Sequence, residues 1–339
     1  MGLLRHRPKD AARAGQRTRL RRTAAVGLAL ATAATAAPIM LTAAPASAIS
    51  GKTMAIGAYA TGGTAELSNI ESSLGSKFDV DHEYIVFGQQ SITQFIGGDA
   101  GKRVPYVNMA LNCGCRSGKS GNPAVKGYWA KVANGSYDTW LVAQANAVKK
   151  WGAPFAITWQ HEPEQTYGWE GTPADYKLAW AHIVKVFNDA GATNARFVTS
   201  FLPTSFRGTS PKVNQFWPGI AGVLAGSTGY NWACSAHTGN KPGCGKGWKS
   251  FAAVFGPVNS WAVAHGVRWW VTETGVAEDP SVPGRKAQWL NDARTTADSW
   301  PNLVGIMFFF GSRSHNLFLP GTSSSSLAAF KGMMNEWAG

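Results

Sequence analysis

Eight short apolar runs rich in β-formers, separated by amphipathic stretches with helical spacing, predict an α/β protein built as one (β/α)8 TIM barrel over residues 49–339. A third observation agrees. The fourth and seventh runs lead straight into glutamates, and a carboxylate at the C-terminal end of a buried strand is at home at the mouth of such a barrel. The rival architecture, an open doubly wound sheet, would carry a glycine-rich phosphate turn after its first strand. Here that turn reads Ala60-Thr61-Gly62-Gly63-Thr64, which lacks the pattern.

The elements follow in order. A strand over Met54–Tyr59 leads to a helix that Thr64 can cap, with Leu67, Ile70 and Leu74 on one face and Gly75 at its stop. Strands over Glu83–Phe87 and Val104–Leu111 come next. Ser136–Trp151 then places Tyr137, Leu141, Ala145 and Val148 on one helical stripe. After the fourth strand, Phe155–Gln160, Thr172-Pro173 supplies a cap with proline at the first helical position, and Leu178, Ala181 and Val184 carry the apolar face toward Gly191. Strands over Arg196–Leu202, Val223–Tyr230, Arg268–Glu273 and Leu303–Phe310 complete the eight, with helices over Arg285–Trp300 and Ser324–Trp337. No repeat or linker divides the body.

Residues 1–48 read as a cleavable export signal. Eight arginines and lysines between Arg5 and Arg22 precede an uncharged Ala/Leu-rich run, and Ala46-Ser47-Ala48 offers a cleavage site. Arg21-Arg22 suggests a twin-arginine route, and an uncleaved membrane anchor is the alternative. The segment holds eight of the 32 basic and one of the 19 acidic residues, so of the net charge of +13 only +6 belongs to the body. That argues against a nucleic-acid partner. Once the signal is removed no membrane segment is expected, and a secreted, extracellular monomer is the expectation. Export suits the cysteines, Cys113, Cys115, Cys234 and Cys244, as disulfides. Cys234–Cys244 is the easiest local pair and cross-pairing of the two loops stays open. Their spacings match no common zinc finger, and no metal is expected.

Several motifs fail on inspection. Gly118-Lys119-Ser120 lacks the earlier glycine of a phosphate loop, position 113 being cysteine. His161-Glu162 opens like a zinc-protease motif, but the fifth residue is Gln165 and Pro163 breaks the helix. No Gly-x-Ser-x-Gly turn occurs, which disfavours an esterase. Two acids at one mouth, Glu162 after the fourth strand and Glu273 at the end of the seventh, are the minimum for glycoside hydrolysis. Glu162, among Trp159, Pro163, Tyr167 and Trp169, suits a proton donor raised by an apolar setting. Glu273, beside Thr272 and Thr274 and within reach of Tyr230, suits an ionised nucleophile with donors. His161 would orient Glu162 or the sugar. Glu164, one step past Pro163, ranks second as an acid, and Glu278 and Asp279 are expected to be solvated. Tyr167, Trp169, Tyr230, Trp232 and Trp248 fall on the side of the acids and would bind sugar faces. Trp180, Trp261 and Trp289, at helical spacing, belong to the core. A barrel that binds carbohydrate without turnover fits the same aromatics.

At these residues the chain resembles glycoside hydrolase family 26 across nearly the whole body. The best stretch is His161-Glu162-Pro-Glu-Gln-Thr-Tyr167-Gly-Trp169 through Tyr176, Trp180 and His182. Others are Trp217-Pro-Gly with Gly229-Tyr230-Asn231-Trp232, and Phe251–Val258 leading to Glu273-Thr-Gly275, Asp279-Pro280 and Gly284–Trp289. The resemblance implies a retaining barrel enzyme needing no cofactor, with Glu162 as acid/base, Glu273 as nucleophile, His161 and Tyr230 as their partners and Tyr167 stacking on sugar. It implies a β-linked polysaccharide substrate, β-1,4-mannan first, then β-glucan or β-1,3-xylan. The chain departs from the family where a tryptophan usually stands near the end of strand eight. Here the sequence is Phe308-Phe309-Phe310-Gly311-Ser312-Arg313-Ser314-His315. The sixth strand also lacks the acidic residues common there.

Overall fold

The computed structural model describes residues 54–111, 121–208, 212–233, 247–311 and 317–337. The expected signal and all four cysteines lie outside the described residues. Eight parallel strands form one sheet in the order β5-β4-β3-β2-β1-β8-β7-β6. They are β1 (Ala55–Ala60), β2 (Val80–Val86), β3 (Val104–Ala110), β4 (Phe155–Trp159), β5 (Ala195–Phe197), β6 (Ala225–Asn231), β7 (Trp269–Val276) and β8 (Leu303–Phe310). Two isolated parallel bridges, Val198↔Leu224 and Phe201↔Ser227, join β5 to β6 and close the barrel. The fold is the expected (β/α)8 barrel.

The helices are α1 (Gly63–Leu74), α2 (Tyr128–Ala133), α3 (Asp138–Trp151), α4 (Pro173–Asp189), α5 (Val213–Phe216), α6 (Phe251–Ala264), α7 (Arg285–Asp298) and α8 (Ser324–Trp337). Thr172 and Asp175 form a reciprocal capping box at the start of α4. Its buried stripe differs from the expected one. Tyr176, Trp180, Ile183 and Phe187 face the core, whereas Leu178 is 61% exposed and Ala181 is exposed. The aromatic rings bury more apolar area than the leucine, so they set the rotation of the helix. Thr64 does not cap α1; the helix begins at Gly63 after a left-handed Gly62, with no side-chain cap. Helix α6 keeps a helical apolar stripe of Phe251, Val254, Phe255, Val258 and Ala262 although Pro257 lies inside it. Proline has no N–H for the carbonyl of Ala253, and Arg207 donates to that carbonyl instead.

The barrel interior is narrow and filled. Ala55, Val80, Tyr106, Ala156, Val198, Trp270, Val304 and Met307 form a central cluster, separate from the two layers between sheet and helices. A Cβ on Gly305 would stand 2.1 Å from the Trp270 ring, so only glycine admits that indole. This plug closes the barrel below the C-terminal mouth.

Candidate active site

Each glutamate reaches the mouth by a local departure from strand geometry. On β7 strict alternation sends Trp270 inward and Trp269 and Val271 outward, into the sheet–helix layer. Glu273 would follow those two outward. The register prevents this. Ser227 pairs with Val271 but Thr228 pairs with Glu273, and on the other side Ile306 pairs with Val271 while Phe308 pairs with Thr274. β7 therefore carries one extra residue against both neighbours. Thr272 faces inward by alternation, 2.6 Å from Ser200 Oγ, and the bulge turns Glu273 inward as well.

At the end of β4 the backbone itself inverts. Gln160 (φ 48°) and Glu162 (φ 50°) are two of three non-glycine residues with positive φ among the described residues. The surroundings hold this strained path in place. Gln160 donates from its backbone to Met109 (2.9 Å) and from its side chain to Glu170 (2.7 Å), and it accepts from the Tyr128 hydroxyl. The Glu162 backbone N–H donates to the Ser200 carbonyl at 2.7 Å.

The two carboxylates are held differently. Tyr84 from β2 and Tyr230 from β6 donate their hydroxyls to opposite oxygens of Glu273. Glu162 accepts from Thr228 Oγ1 on one oxygen and from the Gln165 side-chain amide on the other. Thr228 is thus register-paired with one glutamate and hydrogen-bonded to the other, which puts both at one level of one mouth. Asn108 Nδ2 lies 2.7 Å from His161 Nδ1, and the His161 ring meets Tyr84 edge-on at 5.8 Å.

Glu273 is only 7% exposed, and Glu162 is half-buried. The desolvated carboxyl is therefore on β7, where the sequence reading had put it on β4. Burial raises the Glu273 pKa, His161 opposes it, the Glu162 charge adds to it, and the two tyrosine hydroxyls pull it back.

The aromatics divide. Tyr230 stacks on Phe318 (5.3 Å) and meets Trp232 (5.2 Å). Tyr167 packs against Phe216, and Trp169 donates to the Asn122 carbonyl beneath the Lys126 ammonium. None of these contacts ties Tyr167 or Trp169 to either glutamate. Trp248 lies under the Arg285 guanidinium. Trp180 and Trp289 are buried in the core, as expected, and Trp261 is partly so. Glu164 turns away from the mouth, accepting from Leu202 N–H (3.1 Å) and Ser205 Oγ (2.6 Å), and burial pushes its pKa up to about 8. Asp279 is not solvated, and Glu278 is half-buried. Glu278 accepts from Thr322, Ser323 and Ser326, and Asp279 is buried against Arg285 at 2.8 Å.

Sequence reasoning missed Tyr84, Asn108, Thr228, Gln165 and Phe309. Inward parity along β2 and β3 would have found the first two. Phe309 is the half-exposed residue at the end of β8. It stacks on Tyr59 at 4.9 Å and touches the rings of Tyr84 and Tyr230, so it lies among the residues around Glu273, near the end of the strand for which the resemblance implies a tryptophan. Among the described residues no group of three His, Cys, Asp or Glu side chains could hold a metal.

No family model matches the chain. Endoglucanase H of Acetivibrio thermocellus is 24% identical over 209 residues, which are 59% of this chain and 22% of that protein, so the chain spans about a fifth of the relative's length. Among solved structures, GH26C from a Muricauda species superposes with a TM-score of 0.59 at 15% identity, covering 86% of this chain and 87% of that one. A GH26 β-mannanase from Bacteroides ovatus gives 0.57 at 14% identity over 85% and 91%. A Cellulomonas fimi endo-β-1,4-mannanase gives 0.57 at 15% identity over 86% and 74%. The chain thus has the fold of the GH26 barrels, and its Glu162 and Glu273 stand together at the strand ends of that barrel.

Proposed function

We propose that the protein is a retaining endo-β-glycosidase, exported from the cell, with β-1,4-mannan as first candidate substrate and β-glucan or β-1,3-xylan next. The observation that supports this most is the Thr228 link, which sets two differently held carboxylates side by side across one mouth. The likeness to GH26 β-mannanases and to an endoglucanase supports the substrate class.

In this reading Glu162 protonates the departing glycosidic oxygen while Glu273 attacks the anomeric carbon and forms a glycosyl-enzyme. Glu162, now ionised, then takes a proton from water, which displaces Glu273. The two acids work as a coupled pair. Burial still raises the Glu273 pKa, but when Glu162 carries its proton its charge no longer adds to that, and His161, Tyr230 and Tyr84 favour the anion. The two phenols fix Glu273 as an acceptor on both oxygens. Phe309 offers an apolar face beside it for the C–H side of a sugar ring.

The test is reducing-sugar release from mannan, β-glucan and xylan, with product anomers followed by NMR. A 2-fluoro glycoside should leave its label on the peptide containing Glu273. Products of inverted configuration, or label on another residue, would overturn the mechanism; polysaccharide binding without release would favour a binding barrel. Mass spectrometry of the mature secreted protein should find its N-terminus after Ala48.

A further inference from the structure

Lys286, in the first turn of α7, is 1% exposed, and the mechanism above gives it no part. A buried ammonium is costly unless its protons are bonded. Here three acceptors meet its three protons. Nζ lies 3.1 Å from the Leu317 carbonyl, 2.8 Å from the Leu319 carbonyl and 2.7 Å from Thr322 Oγ1. Thr322 donates in turn to Glu278 (2.8 Å), which also accepts from Ser323 and Ser326. Burial pushes the lysine pKa down to about 8, against the Glu278 charge, so at pH 6 the side chain is an ammonium with every donor in place.

The grip falls on either side of one residue. Leu317 and Leu319 flank Phe318, whose buried ring stacks on Tyr230 (5.3 Å, 13° between planes) and meets Trp232 at 4.8 Å. The same ring covers Gly275, two residues beyond Glu273, where any Cβ would overlap it. Tyr230 is one of the two phenols that donate to Glu273. Contacts therefore run from α7 through the segment after β8 and the end of β6 to the carboxylate on β7. Glu278 already fastens residues 322–326 of that segment, so the bonds to Leu317 and Leu319 add a constraint at Phe318 itself. We propose that Lys286 is a positioning residue for Glu273: it holds the chain on both sides of Phe318, Phe318 seats the Tyr230 ring, and Tyr230 aims its hydroxyl at the carboxylate. The proposal rests on the glycosidase reading and deepens it, since it adds a residue that sets the aim of the nucleophile from outside the mouth.

Two measurements on the full chain at pH 6 test it, with thermal melts verifying that each variant is folded. In the first, the tyrosines carry a carbon-13 label at Cζ, and the Tyr230 resonance is assigned by its loss in Tyr230→Phe. Lys286→Met, close in length but without donors, should shift or broaden that resonance, as should Phe318→Leu. Lys286→Gln, a milder change, carries the test if Lys286→Met does not fold. A Tyr230 resonance that ignores the lysine substitution overturns the proposal. The second measurement is turnover of whichever polysaccharide the wild type cleaves. Lys286→Met should lower kcat roughly tenfold, the lower end of what losing the Tyr230 bond costs, and leave KM within about twofold. In a Tyr230→Phe background the same change should cost less than about twofold, because the lysine acts through that phenol. An unchanged kcat, or losses that multiply across the two substitutions as a general loosening would make them, overturns the proposal. A wild type that cleaves nothing while its Tyr230 resonance answers to Lys286 overturns the enzyme and leaves Lys286 as the group that seats Tyr230 on Glu273.

Discussion

β4 and β7 solve the same problem by different means. Each brings a carboxylate into the mouth. Alternation from inward Ala156 gives Glu162 inward parity, whereas from inward Trp270 it would send Glu273 outward. β7 stays a strand and inserts one residue, so Glu273 leaves the outward set of Trp269 and Val271 and faces Tyr84 and Tyr230. β4 gives up strand geometry, and two left-handed residues carry the chain past His161. The consequences differ. Glu273 is buried and fixed on both oxygens by side chains from β2 and β6. Glu162 is half-buried, and one of its two partners, Gln165, lies on its own loop. Under the proposed mechanism the nucleophile would have the rigid mount, and the group that passes a proton between a sugar oxygen and water the looser one.

The sharpest way to break this comparison is to remove each carboxylate. Glu162→Ala should lower kcat on polysaccharide by roughly 10²–10⁴, the usual worth of general acid catalysis, and should spare substrates whose leaving group needs no proton. Added azide should rescue it and yield a glycosyl azide of retained configuration. Glu273→Ala should lose both substrate types and show no such rescue with retention. Equal losses on activated substrates for the two variants would mean that the roles are not divided. Next in size are the mounts. Tyr84→Phe or Tyr230→Phe removes a hydrogen bond to a charged group worth about 1.5–3 kcal/mol, so each should slow turnover roughly 10- to 150-fold. The double variant should fall short of the product of the two losses, because both phenols hold one carboxylate. Thr228→Val removes one hydroxyl donor, worth about 1 kcal/mol, and should slow kcat roughly fivefold.

The fold was legible because it depends on period and punctuation. Apolar runs, the Thr172-Pro173 cap and the glycine stops all act locally. The positions of Glu162 and Glu273 after the fourth and seventh strands could be read as well, since strand count and strand end suffice for that. Their aim could not. A bulge at Thr272 is a property of pairing with β6 and β8, and no feature of Arg268–Glu273 alone announces it. The left-handed backbone at Gln160 depends on Tyr128 and Glu170, which are distant in sequence or beyond a turn. The same holds for Glu278 and Asp279. Their composition suggests a solvated loop, yet hydroxyls from residues 322–326 bind the half-buried Glu278 and the Arg285 guanidinium pairs with the buried Asp279.

The final prediction separates the two mounts by pH. Behind β4 stand Glu164 and Glu170, whose burial pushes their pKa values up to about 8 and about 7. The unfolded chain gives up these protons near pH 4.5 while the folded chain keeps them, so their support fades as pH climbs from about 4.5 toward 8. The slope is at most about 1.4 kcal/mol per pH unit for each group. Behind β7 the signs reverse. Burial works against ionisation of Glu278 and Asp279, but Ser326, Ser323 and Thr322 hold the first below its ordinary value, and Ser281 and Arg285 hold the second below its own. Their support is complete above the ordinary carboxylate range and fades in acid. Hydrogen exchange at pH 5 and pH 9, corrected for intrinsic rates, should therefore show the segment after β4 loosening on the alkaline side while the segment after β7 holds. Glu164→Gln, which keeps a neutral side chain at every pH, should flatten the alkaline loss after β4 and leave β7 untouched. If both segments loosen together, with or without that substitution, the two ends share one mount and the contrast between them fails.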